Sequence, residues 1–163
     1  MEIERKFTLK TLPKNLEDYP CKCIEQAYLN TSPVIRVRKS DDSYYLTYKG
    51  SGLISREEYN LPLDKESYEH MLTKSDGNII SKKRYLIPLE NPKFADDYYP
   101  ITDPHLVIEL DVFDPPFAPL IMAEVEFSSI EMANAFIPPE WFDEDVSLNI
   151  EYHNSNMSKK IFK

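Results

Sequence analysis

Along most of this chain, charged residues recur two apart inside runs that otherwise alternate in the manner of β-strands. Glu2, Glu4 and Lys6 fall on one face of such a run while Ile3 and Phe7 fall on the other, with Arg5 as an interruption. Arg36 and Arg38 flank Val37, Thr47 and Lys49 flank Tyr48, Arg56 and Glu58 share a face with Asn60, and Lys82 shares one with Arg84. Further on, Glu109 and Asp111 flank Leu110, and Glu124 and Glu126 flank Val125. Period-two alternation sends successive side chains to opposite faces of a sheet, so these residues form charged rows. A charged row either faces solvent, as on the open side of an antiparallel sheet, or faces an interior that must be wet, internally paired or filled by ligand.

Eight runs read as strands: Glu2 to Lys10, Cys23 to Asn30, Val34 to Lys39, Tyr44 to Lys49, Ile54 to Leu61, Ile79 to Leu89, Leu106 to Phe113 and Leu120 to Phe127. The polar connectors Asn30-Thr31-Ser32-Pro33 and Ser40-Asp41-Asp42-Ser43 have hairpin length, which makes the early strands antiparallel neighbours. Three segments read as helices. Asp64 caps Lys65 to Lys74 with Gly77 beyond the end; Ser128 and Glu131 have capping-box spacing for a helix to about Phe136; the third runs from about Asn154 to Ile161. Glu90 to Pro104, with three prolines and three aspartates, reads as a surface loop. The expected fold class is mainly β (α+β), one domain over residues 1–163, and eight strands suffice to close an antiparallel sheet into a barrel.

Composition removes several function classes. With 28 acidic against 19 basic residues the net charge is −9, which argues against a basic surface for duplex nucleic acid or anionic lipid. Gly50, Gly52 and Gly77 are the only glycines, and their spacing fits neither a P-loop nor a dinucleotide-binding turn. The charged start Met1-Glu2-Ile3-Glu4-Arg5-Lys6 is unlike a secretory signal, and no run of about eighteen apolar residues occurs, so a cytoplasmic protein without a membrane partner is expected. Cys21 and Cys23 lack a second cysteine pair and read as reduced structural thiols; His70, His105 and His153 are scattered and read as surface or loop residues.

If the charged rows face inward, the interior holds Glu2, Glu4, Glu58, Glu109, Asp111, Glu124 and Glu126 beside Lys6, Arg36, Arg38, Lys49, Arg56, Lys82 and Arg84. Both signs together predict two ligands: a hard divalent cation for the carboxylates and a polyanion for the bases.

Taken in order, these rows resemble the CYTH proteins, or triphosphate tunnel metalloenzymes. Their E-x-E-x-K opening is matched by Glu2-Ile3-Glu4-Arg5-Lys6, and Tyr152-His153-Asn154-Ser155-Asn156-Met157 is similar to the segment before their closing helix. The resemblance covers Glu2 to about Met157; Asn60 departs from it, standing where many members carry a second glutamate, and the Glu90 to Pro104 loop is longer than usual. It implies an eight-stranded antiparallel tunnel, open at both ends, that binds a triphosphate-containing small molecule with Mg²⁺ or Mn²⁺. Glu2, Glu4, Asp111, Glu124 and Glu126 would then hold the metal, with Glu109 and Glu58 as further candidates. Lys6, Arg36, Arg38, Lys49, Lys82 and Arg84 would grip phosphate oxygens, and Arg56 would do so or pair with Glu58. Tyr28, on the otherwise uncharged second strand, is a candidate for proton transfer, acting with Lys6 and Arg38. The implied activity is a metal-dependent triphosphatase acting on inorganic tripolyphosphate, nucleoside triphosphates or both. An adenylyl cyclase, a thiamine triphosphatase and a non-catalytic polyphosphate-binding module remain as alternatives, and the oligomeric state is open.

Overall fold

In the computed structural model, which describes residues 1–162, the sheet closes on its first strand. Strand β1 (Glu2–Leu9) pairs antiparallel with β10 (Ile121–Glu126), placing Glu4 opposite Glu126 and Lys6 opposite Glu124. The sheet continues through β9 (Val107–Phe113), β7 (Asp76–Pro88), β2 (Cys21–Thr31), β3 (Val34–Ser40), β4 (Ser43–Lys49) and β6 (Glu58–Leu63), each pair antiparallel. The two-residue strand β5 (Ser55–Arg56) then meets the other edge of β1, with Arg56 opposite Glu2 and Ser55 opposite Ile3, and Glu4 N–H donates to Ile54 O at 3.0 Å. The expected eight-position barrel is therefore present, with its fifth strand broken at Glu57. One half lies on β4 and the other on β1, which lets a single run turn the corner between two neighbours.

Short strand β12 (Phe142–Asp145) covers the rest of that edge of β1, while β8 (Lys93–Phe94), inside the predicted loop, pairs with β11 (Phe136–Ile137). Helix α1 (Lys65–Leu72) is capped by Asp64, which accepts from Ser67 N–H at 2.7 Å, and it lays Tyr68 against Tyr44 on the outside of the barrel. Helix α2 (Ile130–Ala135) starts one residue later than the capping-box spacing predicts, because Ser129 rather than Ser128 accepts from Met132 N–H. Helix α3 (Asn154–Met157) is shorter than predicted: Asn78 draws the following backbone onto β7 by bonding Ser158 O and Lys160 O. Gly77 sits in β7 beneath that contact at φ +73°, where a Cβ would come within 2.2 Å of Ser158 O, so only glycine fits.

Most of the hydrophobic core lies outside the barrel wall. Phe7, Leu110, Ala123 and Val125 alternate with the charged rows, face outward, and pack beneath α2 and β12 with Phe127, Phe136 and Phe142. Inside, the end of the barrel formed by Tyr28, Val34, Ile80, Phe113 and Met122 is apolar and packs against Val146 and Met157. That end is filled rather than open, in contrast to a tunnel open at both ends. Burial also corrects the reading of the minor residues: His153 is 7% exposed, whereas Cys21 and Cys23 are free thiols exposed on β2 and not part of a core. Among the described residues, no helix is long and apolar enough to cross a membrane.

Candidate active site

Inward positions along β10 run Met122, Glu124, Glu126, and along β9 Phe113, Asp111, Glu109. The interior thus passes in layers from an apolar floor through ion-paired residues to a carboxylate rim. A cavity of about 310 Å³ occupies the charged part. Glu2, Glu4, Glu58, Glu109, Glu124 and Glu126 line it together with Lys6, Arg36, Arg38, Lys49, Arg56 and Arg84. Tyr28 also lines it, 3% exposed and opposite Arg36 in register. Thirteen of the fifteen residues singled out from the sequence therefore share one cavity.

The other two, Lys82 and Asp111, are packed just behind the lining. Asp111 accepts from Lys82 Nζ at 2.7 Å and from Arg84 Nε and Nη2 at 2.7 and 2.8 Å, so both its oxygens are engaged. Arg84 also reaches Glu124 at 3.1 Å and contacts Glu109. Burial would lower the Arg84 guanidinium, but Asp111, Glu109 and Glu124 outweigh it and hold the group firmly charged. Lys82 shares Asp111 with that stronger partner; burial, together with repulsion from Arg84, leaves its ammonium pushed down to about 8. Nearer the cavity, Lys6 Nζ pairs with Glu124 at 3.1 Å and Lys49 Nζ with Glu2 at 2.7 Å. Burial raises the Glu124 carboxyl, yet Lys6, Arg84 and Lys82 more than offset this and keep it well below the usual carboxylate range.

Arg36 and Arg38 differ from these bases. Among the described residues neither has a carboxylate within ion-pair distance, although both are at least nine-tenths buried. Burial and repulsion from Arg36 and Arg84 push Arg38 below its ordinary value. The acids have their own uncompensated members. Burial and Glu124 raise Glu4; burial raises Glu109 against the pull of Arg84; burial, Glu2, Glu109 and Glu4 raise Glu126. Burial and a hydrogen bond shared with Glu58 raise Glu2. Glu58 moves the other way: burial raises it, but Glu2, Lys49 and Asn60 outweigh that.

The rim is therefore a set of oxygen donors with too few cations. Its chemistry, a set of carboxylate oxygens, fits a hard divalent cation, and Glu4, Glu126, Glu109 and Glu2 are the side chains that would hold one. No group of three or more metal-ligating side chains stands at cage spacing among the described residues.

Several contributors were not singled out from the sequence. Gln26 accepts from Arg38 Nε at 2.7 Å, and Asn154 and Ser155 of α3 line the far side of the cavity. On the outer face of β1, Arg5 donates to Asp145 at 2.7 Å and to the carbonyls of Ala133 and Phe136 at the end of α2. Asp145 orients Ser147, whose hydroxyl accepts from Lys6 N–H at 2.9 Å, and His153 Nε2 lies 3.0 Å from Ser147 O. Gln26 was within reach of the alternation rule, being two residues before Tyr28 on the same face. The contacts of Arg5 with Asp145 and of Lys6 with Ser147 have no sequence signal, because they join residues about 140 apart.

An antiparallel eight-position barrel with an apolar exterior core and a paired, ligand-ready interior defines a class, and the chain belongs to it: residues 1–133 match the CYTH domain. Over 164 aligned residues, 98% of each chain, it is 35% identical to an inorganic triphosphatase of Nitrosomonas europaea. Its fold superimposes on the crystal structure of an inorganic triphosphatase with a TM-score of 0.69 and 31% identity, covering 99% of this chain and 96% of that one. A Hippeastrum protein shares the fold at 14% identity, with a TM-score of 0.58 over 82% of this chain and 83% of its own.

Proposed function

We propose that this protein hydrolyses inorganic tripolyphosphate, releasing orthophosphate, with Mg²⁺ or Mn²⁺ held at the carboxylate rim. The carrying observation is that Arg36 and Arg38 are buried in the cavity wall without carboxylate partners among the described residues. A buried cation without a partner is costly, and a polyanion is the ligand that removes the cost. The 35% identity to an inorganic triphosphatase across nearly the whole chain supports the same reading.

Each residue then has a task. Arg36 and Arg38 engage phosphate oxygens through their planar forks, while Lys6 and Lys49, already paired with Glu124 and Glu2, contribute as point charges. Arg84, fixed by Asp111, presents a rigid positive charge toward which negative charge on the phosphates can develop. In this reading Asp111 and Lys82 hold Arg84 in place and do not themselves bind metal or phosphate. Glu2, Glu4, Glu109, Glu124 and Glu126 supply oxygen donors on the opposite side. A divalent ion bound there would neutralise phosphate charge and activate a water for in-line attack. Tyr28, at the floor opposite Arg36, would donate a proton to the leaving group or accept one from the attacking water.

Inorganic tripolyphosphate is preferred to nucleotide because of the wall itself. Apart from Tyr28 and Val34 the cavity lining is polar, which offers a purine little to stack on. A panel of tripolyphosphate, ATP and thiamine triphosphate, each with Mg²⁺ and with Mn²⁺ and read by phosphorus NMR of the products, tests the proposal. Orthophosphate and pyrophosphate from tripolyphosphate are expected; cyclic AMP with pyrophosphate from ATP, or no turnover of any substrate, would refute it.

A further inference from the structure

The bases of the lumen are anchored in two different ways. Lys6, Lys49, Lys82 and Arg84 each rest on a carboxylate. Arg38 and Arg36 rest on neutral acceptors: Arg38 Nε donates to Gln26 Oε1 at 2.7 Å, and Arg36 Nη2 donates to Thr47 Oγ1 at 3.2 Å. Thr47 in turn donates its hydroxyl to Asn60 Oδ1 at 2.6 Å. Gln26 and Thr47 are both 0% exposed.

Gln26 is an expensive way to hold an arginine. Arg38 Nε can only donate, so the amide oxygen must face it and the orientation of the carboxamide is settled. Among the described residues its NH₂ group then has no acceptor, and Arg36 Nε is likewise without one. A buried donor left unpaired destabilises the fold. Glutamate has nearly the same shape, would remove the orphaned donor and would add an ion pair to Arg38. It would also cancel the charge of Arg38. Glutamine orients the guanidinium and leaves its charge intact for a ligand, which is what an anion receptor requires.

We infer that Gln26 is a positioning residue of the anion seat, a neutral anchor that fixes Arg38 while keeping it free of carboxylates, as Thr47 does for Arg36. This rests on the tripolyphosphate reading and specifies how that site preserves its positive charge.

Gln26→Glu is the direct test. Ligand-free Tm is expected to hold or rise, while KM for tripolyphosphate increases at least about tenfold, the effect of losing one charge-assisted contact to the ligand, with a smaller change in kcat. Calorimetry with tripolyphosphate in the absence of divalent metal should show the same loss of affinity. Gln26→Met removes the anchor without adding charge and is expected to raise KM similarly; it carries the test alone should the glutamate variant fail to fold. Were Gln26 only packing, the glutamate variant would bind and turn over tripolyphosphate like the wild type, and that result would overturn the inference. A wild-type protein that neither binds nor hydrolyses tripolyphosphate would overturn the triphosphate reading and this inference with it.

Discussion

Glu4 of β1 stands directly opposite Glu126 of β10, two carboxylates on facing inward positions of adjacent strands. Like charges so placed destabilise a sheet by up to about 1 kcal/mol, less where solvent screens them, as at the exposed Glu126. Both carboxyls are raised, by burial and then by the surrounding acids. Nothing in the packing of the barrel requires this pair, since the adjacent outward residues Arg5 and Val125 already oppose each other in the same register. The arrangement makes sense as one half of a site whose other half is a cation.

Glu126→Gln should therefore separate stability from activity. Removing one of two facing charges is expected to raise Tm in metal-free buffer by no more than about 2–4 °C, the shift that about 1 kcal/mol would produce in a domain of this size. Phosphate release from tripolyphosphate should fall by about two orders of magnitude, as when a group that stabilises transition-state charge is lost. Scanning calorimetry and a phosphate assay on the same preparation check both signs.

Arg38→Ala makes the complementary test on the anion side. Arg38 forms no ion pair among the described residues, so its loss should leave Tm within a few degrees of wild type while tripolyphosphate hydrolysis drops about 10²–10³-fold. Undiminished turnover in a folded variant under excess Mg²⁺ or Mn²⁺ would remove the arginine from the site.

The alternation rule made the barrel legible because every inward row except that of β2 carries charge, and a one-residue slip would have thrown Arg36, Glu124 or Asp111 into an apolar exterior core. It could not locate the break at Glu57, where the change of partner from β4 to β1 depends on barrel closure and not on local pattern. Nor could it separate Arg36 and Arg38 from Lys82 and Arg84, since all four are bases on inward rows. What distinguishes them is register: Arg84 faces Asp111, whereas Arg38 faces Gln26 and Tyr45. His153, one of three scattered histidines in sequence, is drawn into the interior by Ser147, a contact that needs the chain to return to β1 first.

The proposed metal dependence is open to a direct test. Chelation with EDTA is expected to abolish hydrolysis without unfolding the protein, because Lys6–Glu124, Lys49–Glu2 and Lys82–Asp111 persist without the ion. Adding Mg²⁺ with tripolyphosphate should raise Tm more than either alone, since each ligand offsets charge that the other leaves exposed. Circular dichroism before and after chelation, together with the melting series, reads both effects; hydrolysis that survives exhaustive chelation would exclude the metal.

The clamp behind Lys6 predicts how stability responds to acid. Burial raises the Asp145 carboxyl, but hydrogen bonds from the Ser147 hydroxyl and amide and from Arg5 outweigh this and hold it below its ordinary value of 3.8. Its contribution is therefore complete above that value and is lost as pH falls through the lower value of the folded state. For His153, burial and then Lys6 depress the imidazole below its ordinary 6.5, despite the carbonyl of Ser147. The folded protein keeps this ring neutral while the unfolded chain protonates first, so stability declines as pH drops below 6.5 toward the folded value. A plot of Tm against pH should accordingly fall in two stages, and His153→Gln should flatten only the upper one, which begins as pH drops below 6.5. Asp145→Asn should flatten only the lower. A His153→Gln profile that follows the wild type throughout the upper window would show that the buried ring does not set acid stability, and the clamp would then rest on Asp145 and Arg5 alone.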